Sequence, residues 1–310
     1  MSDQPDYDSP WKDILERFFY DFVGFFFPDV HAGIDWEKEY TFLDKELQQL
    51  VRDSEIGRRL ADKLVRVHTR DGKPLMVLTH IEVQGAYETD FAERIYVYNY
   101  RIYDKFRCPV VSLAVLTDES PGWRPASFGY KRWGFRLKME FPVSKLLDYN
   151  DIPALEKNPN PFAIVVMAHL KTMETRHTPD ERFAWKWHLS MALYERGYKQ
   201  QDVIDIFQFI DWIMILQEEL KKSFSQRIIA YEEENKMRFV SGVEELGMIK
   251  NAREMVAEVL STRFSQTPEK ITKAISTIDD RNILKELLKK AVLTQSLEQF
   301  ESEFKNYAKC

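Results

Sequence analysis

Several protein classes are excluded by what this sequence has little of. Two cysteines, Cys108 and Cys310, in 310 residues supply neither a disulfide framework nor a thiolate metal cluster. The apolar run from Phe18 to Phe27 is interrupted by Asp21 and is too short to span a bilayer, so no membrane partner is expected. No basic segment with a cleavage site precedes that run, which makes a reducing cytoplasm the expected location. An excess of positive charge is also missing: the net charge is −6, whereas phosphate binding wants local basic surface. His169, His177 and His188 lie too far apart in sequence to suggest a zinc site. What is present is ordinary for a globular protein, with 44% hydrophobic and 30% charged residues. The length allows one full domain with an appendage.

The most informative stretch is Leu60 to Gln84. Two runs rich in β-formers flank Arg70-Asp71-Gly72-Lys73, which predicts a hairpin. Val65, Val67, Leu75, Val77, Ile81 and Val83 occupy odd positions. Asp62, Arg66, His68, His80, Glu82 and Gln84 occupy even ones, with Leu64, Met76 and Leu78 among them, so one face is expected to be buried. A loop centred on Gly72 pairs Val67 with Val77 and Lys63 with Ile81, and sets Asp62 directly across from Glu82. Two carboxylates side by side repel, and a divalent cation resolves the conflict. Mg²⁺ takes one or two carboxylates, polarises a phosphoryl oxygen and lowers the pKa of bound water, which is the chemistry of phosphodiester hydrolysis. Gln84 shares the face and can orient water or a phosphate oxygen. A polar, solvated hairpin face with chance carboxylates is the plain alternative.

Asp62, followed after a hairpin by Glu82-Val83-Gln84, resembles the PD-(D/E)XK nuclease signature with Gln84 in place of the usual lysine. The text RLADKLVRV, VLTHIEVQG, DFAERIYVYNYRIYD and PVVSLAVLTDESPGWRP is similar to the recombination-promoting nuclease and transposase-like family of bacteria. That similarity runs from about Tyr7 to about Gly247. The resemblance implies an α/β fold with a restriction-endonuclease-like αβββαβ core and a helical C-terminal extension. It implies a Mg²⁺-dependent DNA endonuclease linked to DNA recombination, with Asp62 and Glu82 as metal ligands and Gln84 in the lysine's place. A neutral amide supplies neither positive charge nor a proton. A catalytically degenerate fold that binds DNA or a protein therefore stands beside the enzyme.

Organisation follows the same order. Residues 1–9 are expected to be a disordered lead-in, 10–150 the nuclease-like core, 151–247 a helical extension packed on it, and 248–310 a small helical domain. A helix is expected from Ser9 and Pro10 to Pro28, with Trp11, Ile14, Leu15, Phe18, Phe19 and Phe22 as its apolar stripe. Glu16 lies off that stripe; by the resemblance it is a further metal ligand, and otherwise a solvated helix residue. Asp90 to Phe106 reads as a helix buried through Phe91, Ile95, Tyr98 and Ile102. Arg94 near its start is a candidate phosphate contact or one half of a surface ion pair. Pro109 to Leu116 reads as a strand buried on both faces. Trp123 to Met139 contains five basic residues and no acid, interleaved with aromatics. From Trp133 onward it predicts a strand with a basic outer and an apolar inner face. Arg132 and Arg136 there, with Lys63 and Arg66 on the first hairpin, are candidate contacts to DNA. Residues 147–161 read as a linker and the remainder as helices, with Gly197 ending one of them. The amphipathic tail argues for docking or a homo-oligomer.

Overall fold

The computed structural model describes residues 8–47, 63–82, 90–237, 239–264, 271, 275, 278, 281–294 and 296–304, with the backbone alone described at several, Glu82 among them. The chain forms two compact units, Met1–Phe224 and Ser225–Cys310. The first is mixed α/β. Its sheet has the order β1 (Thr41–Phe42), β2 (Lys63–His68), β3 (Pro74–Glu82), β4 (Val110–Leu116), β7 (Val143–Lys145). The first three strands are antiparallel neighbours, and β3, β4 and β7 run parallel. The remaining strands, β5 (Ser127–Arg132) and β6 (Phe135–Glu140), pair only with each other as a two-stranded ribbon. No described helix is long and apolar enough to cross a membrane.

The hairpin forms, but its register corrects the expected one. Lys63 pairs with Thr79, Val65 with Val77 and Val67 with Leu75, so the ladder is centred on Asp71 rather than Gly72. Turn chemistry explains the shift. The Thr69 amide donates to Lys73 O and the Gly72 amide to Thr69 O, closing a three-residue loop over residues 70–72. Gly72 takes its last position with φ +83, the left-handed place that this loop reserves for glycine. The register moves by two, so residues keep their faces; Asp62, expected across from Glu82, lies outside the described residues. The single buried face is corrected as well. Leu64 and Val65 are both fully buried, on opposite faces of β2.

A long helix covers the even face. This helix, α4 (Phe91–Phe106), buries Phe91, Ile95, Tyr98 and Ile102, as its spacing predicts. Tyr98 and Ile102 pack with Leu64 and Met76; Phe91 and Ile95 pack with Ala114 and Leu116. The helix ends at Arg107, which adopts φ 49. The expected single N-terminal helix is instead α1 (Asp8–Arg17), α2 (Phe19–Phe26) and α3 (Pro28–Gly33), broken first at Phe18. The break redirects the aromatic stripe. Trp11 meets Phe209 of α8 (Gln200–Ile213), while Phe22 and Phe26 meet Phe162 of α6 (Pro161–Glu174).

Residues 147–161 are not a linker. They hold a 3₁₀ turn (Leu146–Asp148) and a short helix, α5 (Ile152–Lys157), which Asp151 caps by accepting from the Ala154 amide. Asn160 caps α6 in the same way. From Pro161 to Lys171 every residue of α6 is buried. Further helices are α7 (Pro179–Glu195), which stops at Gly197 with φ +70, and α9 (Glu218–Glu234), which crosses from one unit to the other. In the second unit α10 (Val240–Phe264) runs straight through the expected boundary at Gly242–Gly247. With α11 (Arg281–Leu293) and α12 (Leu297–Phe304) it encloses Val256, Leu260, Leu284, Leu287, Phe300 and Phe304.

Candidate functional site

The sheet gathers several charged groups at one edge. Because β2 runs antiparallel to β3, the start of β2 and the end of β3 lie on the same side, together with the ends of the parallel strands β4 and β7. Glu82 is the last residue of β3 and pairs with Leu116, the last residue of β4. Leu116 pairs in turn with Lys145, the last residue of β7. Across the start of β2, the Lys63 ammonium donates to Glu16 Oε2 at 2.6 Å and to Asp44 Oδ2 at 2.5 Å. It also lies 5.4 Å from the centre of the Phe42 ring. Lys63 is 5% exposed, while the Glu16 side chain is 53% exposed. Burial works against the Lys63 charge, but the hydrogen bonds to Asp44 and Glu16 outweigh it and hold the ammonium above its usual pKa. Asp13, one turn before Glu16, has its pKa raised, chiefly by burial; Lys63 opposes that shift and Glu16 adds to it.

The sequence-predicted residues separate on this frame. Asp62 and Gln84 lie outside the described residues, and for Glu82 the backbone alone is described. Glu16 is brought to the edge but is occupied by Lys63. Lys63, expected as a phosphate contact, is a buried ion-pair partner; the aromatic ring and two carboxylates around it leave no open cation for a phosphate. Arg66 is exposed, yet it sits three residues up β2, about 10 Å from the edge. Arg94, a second expected phosphate contact, is 5% exposed with its guanidinium 5.9 Å from the Phe91 ring, so it presents no surface cation. Arg132 and Arg136 are exposed at the end of the β5–β6 ribbon. The apolar inner face expected beside them is graded: Phe141 is buried, Leu137 and Met139 are half-buried, and Phe135 near the tip is 55% exposed.

Sequence reasoning missed a buried ion pair at this edge. Lys145 Nζ donates to Asp118 Oδ2 at 2.7 Å and to the Trp123 carbonyl at 3.1 Å, and both side chains are essentially inaccessible. The second Asp118 oxygen accepts the Ser120 amide at 2.8 Å. Every bond fastens the turn that follows β4, so the pair shapes the rim. Its signal was a lone charge in each of two otherwise apolar strand ends, VLTD and PVSK. Behind the sheet, His169 of α6 contacts the Thr117 carbonyl through Nε2 at 3.2 Å, and burial lowers its pKa to about 4. A separate cavity of about 430 Å³ is lined in part by Asp148, Asp151 and Asn160. Those groups are already engaged, by Arg124 and by the two helix caps.

Comparison of the chain with protein-family models, curated proteins and solved structures returned no match. The nuclease resemblance therefore rests on the sequence motifs.

Proposed function

We propose that the protein is a Mg²⁺-dependent DNA endonuclease of the PD-(D/E)XK type, with a restriction-endonuclease-like core. Asp62 and Glu82 hold the metal in this reading, and Gln84 positions water or a phosphate oxygen. The observation that carries it is the place of Glu82. It ends the central strand of a mixed sheet, between a strand that begins one residue after Asp62 and a parallel strand that ends level with it. Ligands of open α/β sheets gather outside the carboxyl ends of the strands. With α2 and α3 standing between α1 and β1, the elements α1, β1, β2, β3, α4 and β4 follow one another in the αβββαβ order that the resemblance implies, which supports the reading.

Among the described residues no group of three or more His, Cys, Asp or Glu side chains is placed to hold a metal. In this reading the ligand set is Asp62 and Glu82 with waters, a number of carboxylates that suits Mg²⁺. Glu16, bonded to Lys63 through Oε2, joins them either through its other oxygen or by releasing Lys63. Bound there, the ion supplies charge for a phosphoryl oxygen and a more acidic water. Calorimetric titration of the full chain with Mg²⁺ tests the ligand set. Binding that disappears in Glu82→Ala is expected, and no binding by the unaltered protein contradicts it.

A second reading is favoured by the Glu16–Lys63 ion pair and by Gln84: a degenerate nuclease fold that holds DNA without cutting it. It predicts DNA binding that is indifferent to Mg²⁺ and to Asp62→Ala.

A further inference from the structure

The β5–β6 ribbon places an aromatic side chain where the chain itself has no use for one. Arg132 and Phe135 close a two-residue turn of Trp133 and Gly134, with φ of 50 and 88. Such turns favour Asn, Asp or Gly, and a bulky side chain at positive φ is an outlier. Trp133 is also 98% exposed. Backbone strain and a fully hydrated indole are both unfavourable, and nothing in the described structure offsets either. Outliers of this kind cluster at binding sites.

The two faces of the ribbon say what it meets. On one, the rings of Tyr96, Phe128, Tyr130 and Phe135 form a chain with centroid spacings of 5.0, 6.3 and 5.6 Å. It leads from α4 towards the tip, where Tyr130 and Phe135 are about half exposed. On the other face Lys131 pairs across the strands with Arg136, beside Lys138, which is bound to Glu140. Among the described residues no carboxylate forms an ion pair with Lys131, Arg132 or Arg136. Gly129 keeps this face closely joined, since a Cβ there would lie 2.6 Å from the Leu137 carbonyl oxygen.

We infer that the β5–β6 ribbon grips an unpaired stretch of DNA, Trp133 and the exposed rings stacking on bases while Lys131 and Arg136 on the opposite face, and Arg132 beside Phe135, meet the phosphates. The choice of DNA rests on the proposed nuclease reading; the choice of an unpaired strand rests on the ribbon. Rings stack on base faces, and those faces are open only where a strand is unpaired. A closed duplex satisfies the cations and leaves the rings without partners.

The test is binding of the full chain to labelled oligothymidylate in EDTA, so that cleavage plays no part. Trp133→Ala is expected to weaken binding about tenfold. A Lys131→Gln, Arg136→Gln double variant is expected to flatten the salt dependence by about two counterions. Base stacking also quenches indole emission, so part of the fluorescence change on binding should vanish in Trp133→Phe. Unchanged affinity of Trp133→Ala for oligothymidylate overturns the inference, as does a loss confined to phosphatidylserine vesicles. Binding measured in EDTA does not call on the metal site. Failure of the ribbon is thereby separated from failure of the nuclease site, which plasmid cleavage reads independently.

Discussion

The two hairpins of this protein share a plan and differ in surroundings. Each is antiparallel, alternates apolar with polar residues, and turns on a glycine in the left-handed region, Gly72 in one and Gly134 in the other. The β2–β3 hairpin gains neighbours on both sides, β1 and β4, and its two faces are covered. The β5–β6 ribbon gains no third strand; its root meets α4 through Phe128 and Tyr96, while its tip stands in water. Alternation alone therefore does not decide which face is inside. What decides it is whether another element supplies complementary apolar surface, as α4 does for Leu64 and Met76. The covered hairpin can hold carboxylates in fixed register; the open one can only present side chains to a partner.

The comparison breaks most visibly in stability. Leu64→Ala should cost about 3–4 kcal/mol, because a fully buried side chain leaves a cavity between β2 and α4. Trp133→Ala should stay within about 0.5 kcal/mol. Chemical denaturation of both variants checks this, and equal losses would show that the ribbon is packed after all.

Next in size is the buried histidine behind the sheet. His169 has a pKa near 4 in the folded chain against 6.5 ordinarily, so the unfolded chain binds the extra proton between those values. Its neutral form supports folding fully above about pH 6.5, and that contribution is lost as pH falls towards 4, by about 3 kcal/mol in all. In His169→Gln the slope of stability against pH over this window should flatten. An unchanged slope would place the titration elsewhere.

Lys63→Met should cost less, about 1–2 kcal/mol at neutral pH, because Glu16 and Asp44 are partly exposed and water can take over from the ammonium. The folded pKa of Lys63 is raised, so its contribution is complete below about 10.5 and fades as pH climbs beyond. Denaturation curves of the two proteins should accordingly converge in alkali.

The smallest contrast lies in the turns. Gly72→Ala should cost about 1–2 kcal/mol of global stability, since φ is +83 in a hairpin the sheet depends on. Gly134→Ala bears the same strain but should only open the ribbon, leaving the global transition in place. Amide exchange confined to residues 127–140 would report it.

How far the sequence was legible follows from the same distinction. Helix α4 was readable because four apolar residues at helical spacing meet one surface, and β4 because an unbroken apolar run has few other solutions. The hairpin was readable, but its register was not. Centring the loop on Gly72 kept the faces consistent, and a shift of two keeps them equally consistent; only the glycine's position within the loop separates the two. Lys63 looked like one more surface cation until Glu16 and Asp44 converged on it from distant segments. Lys145 and Asp118 stand 27 residues apart, and nothing local announces that they meet. The open tip of the ribbon was hidden for the opposite reason, since apolar alternation looks the same where α4 covers it, at Phe128, and where nothing does, at Phe135.

Nicking of supercoiled plasmid by the purified full-length chain, with Mg²⁺ or EDTA and beside Asp62→Ala, tests the central claim most directly. Nicking that requires both Mg²⁺ and Asp62 is the expected result. Intact plasmid under every divalent metal, with DNA binding retained, would contradict it and leave the protein as a DNA binder built on a mixed α/β sheet.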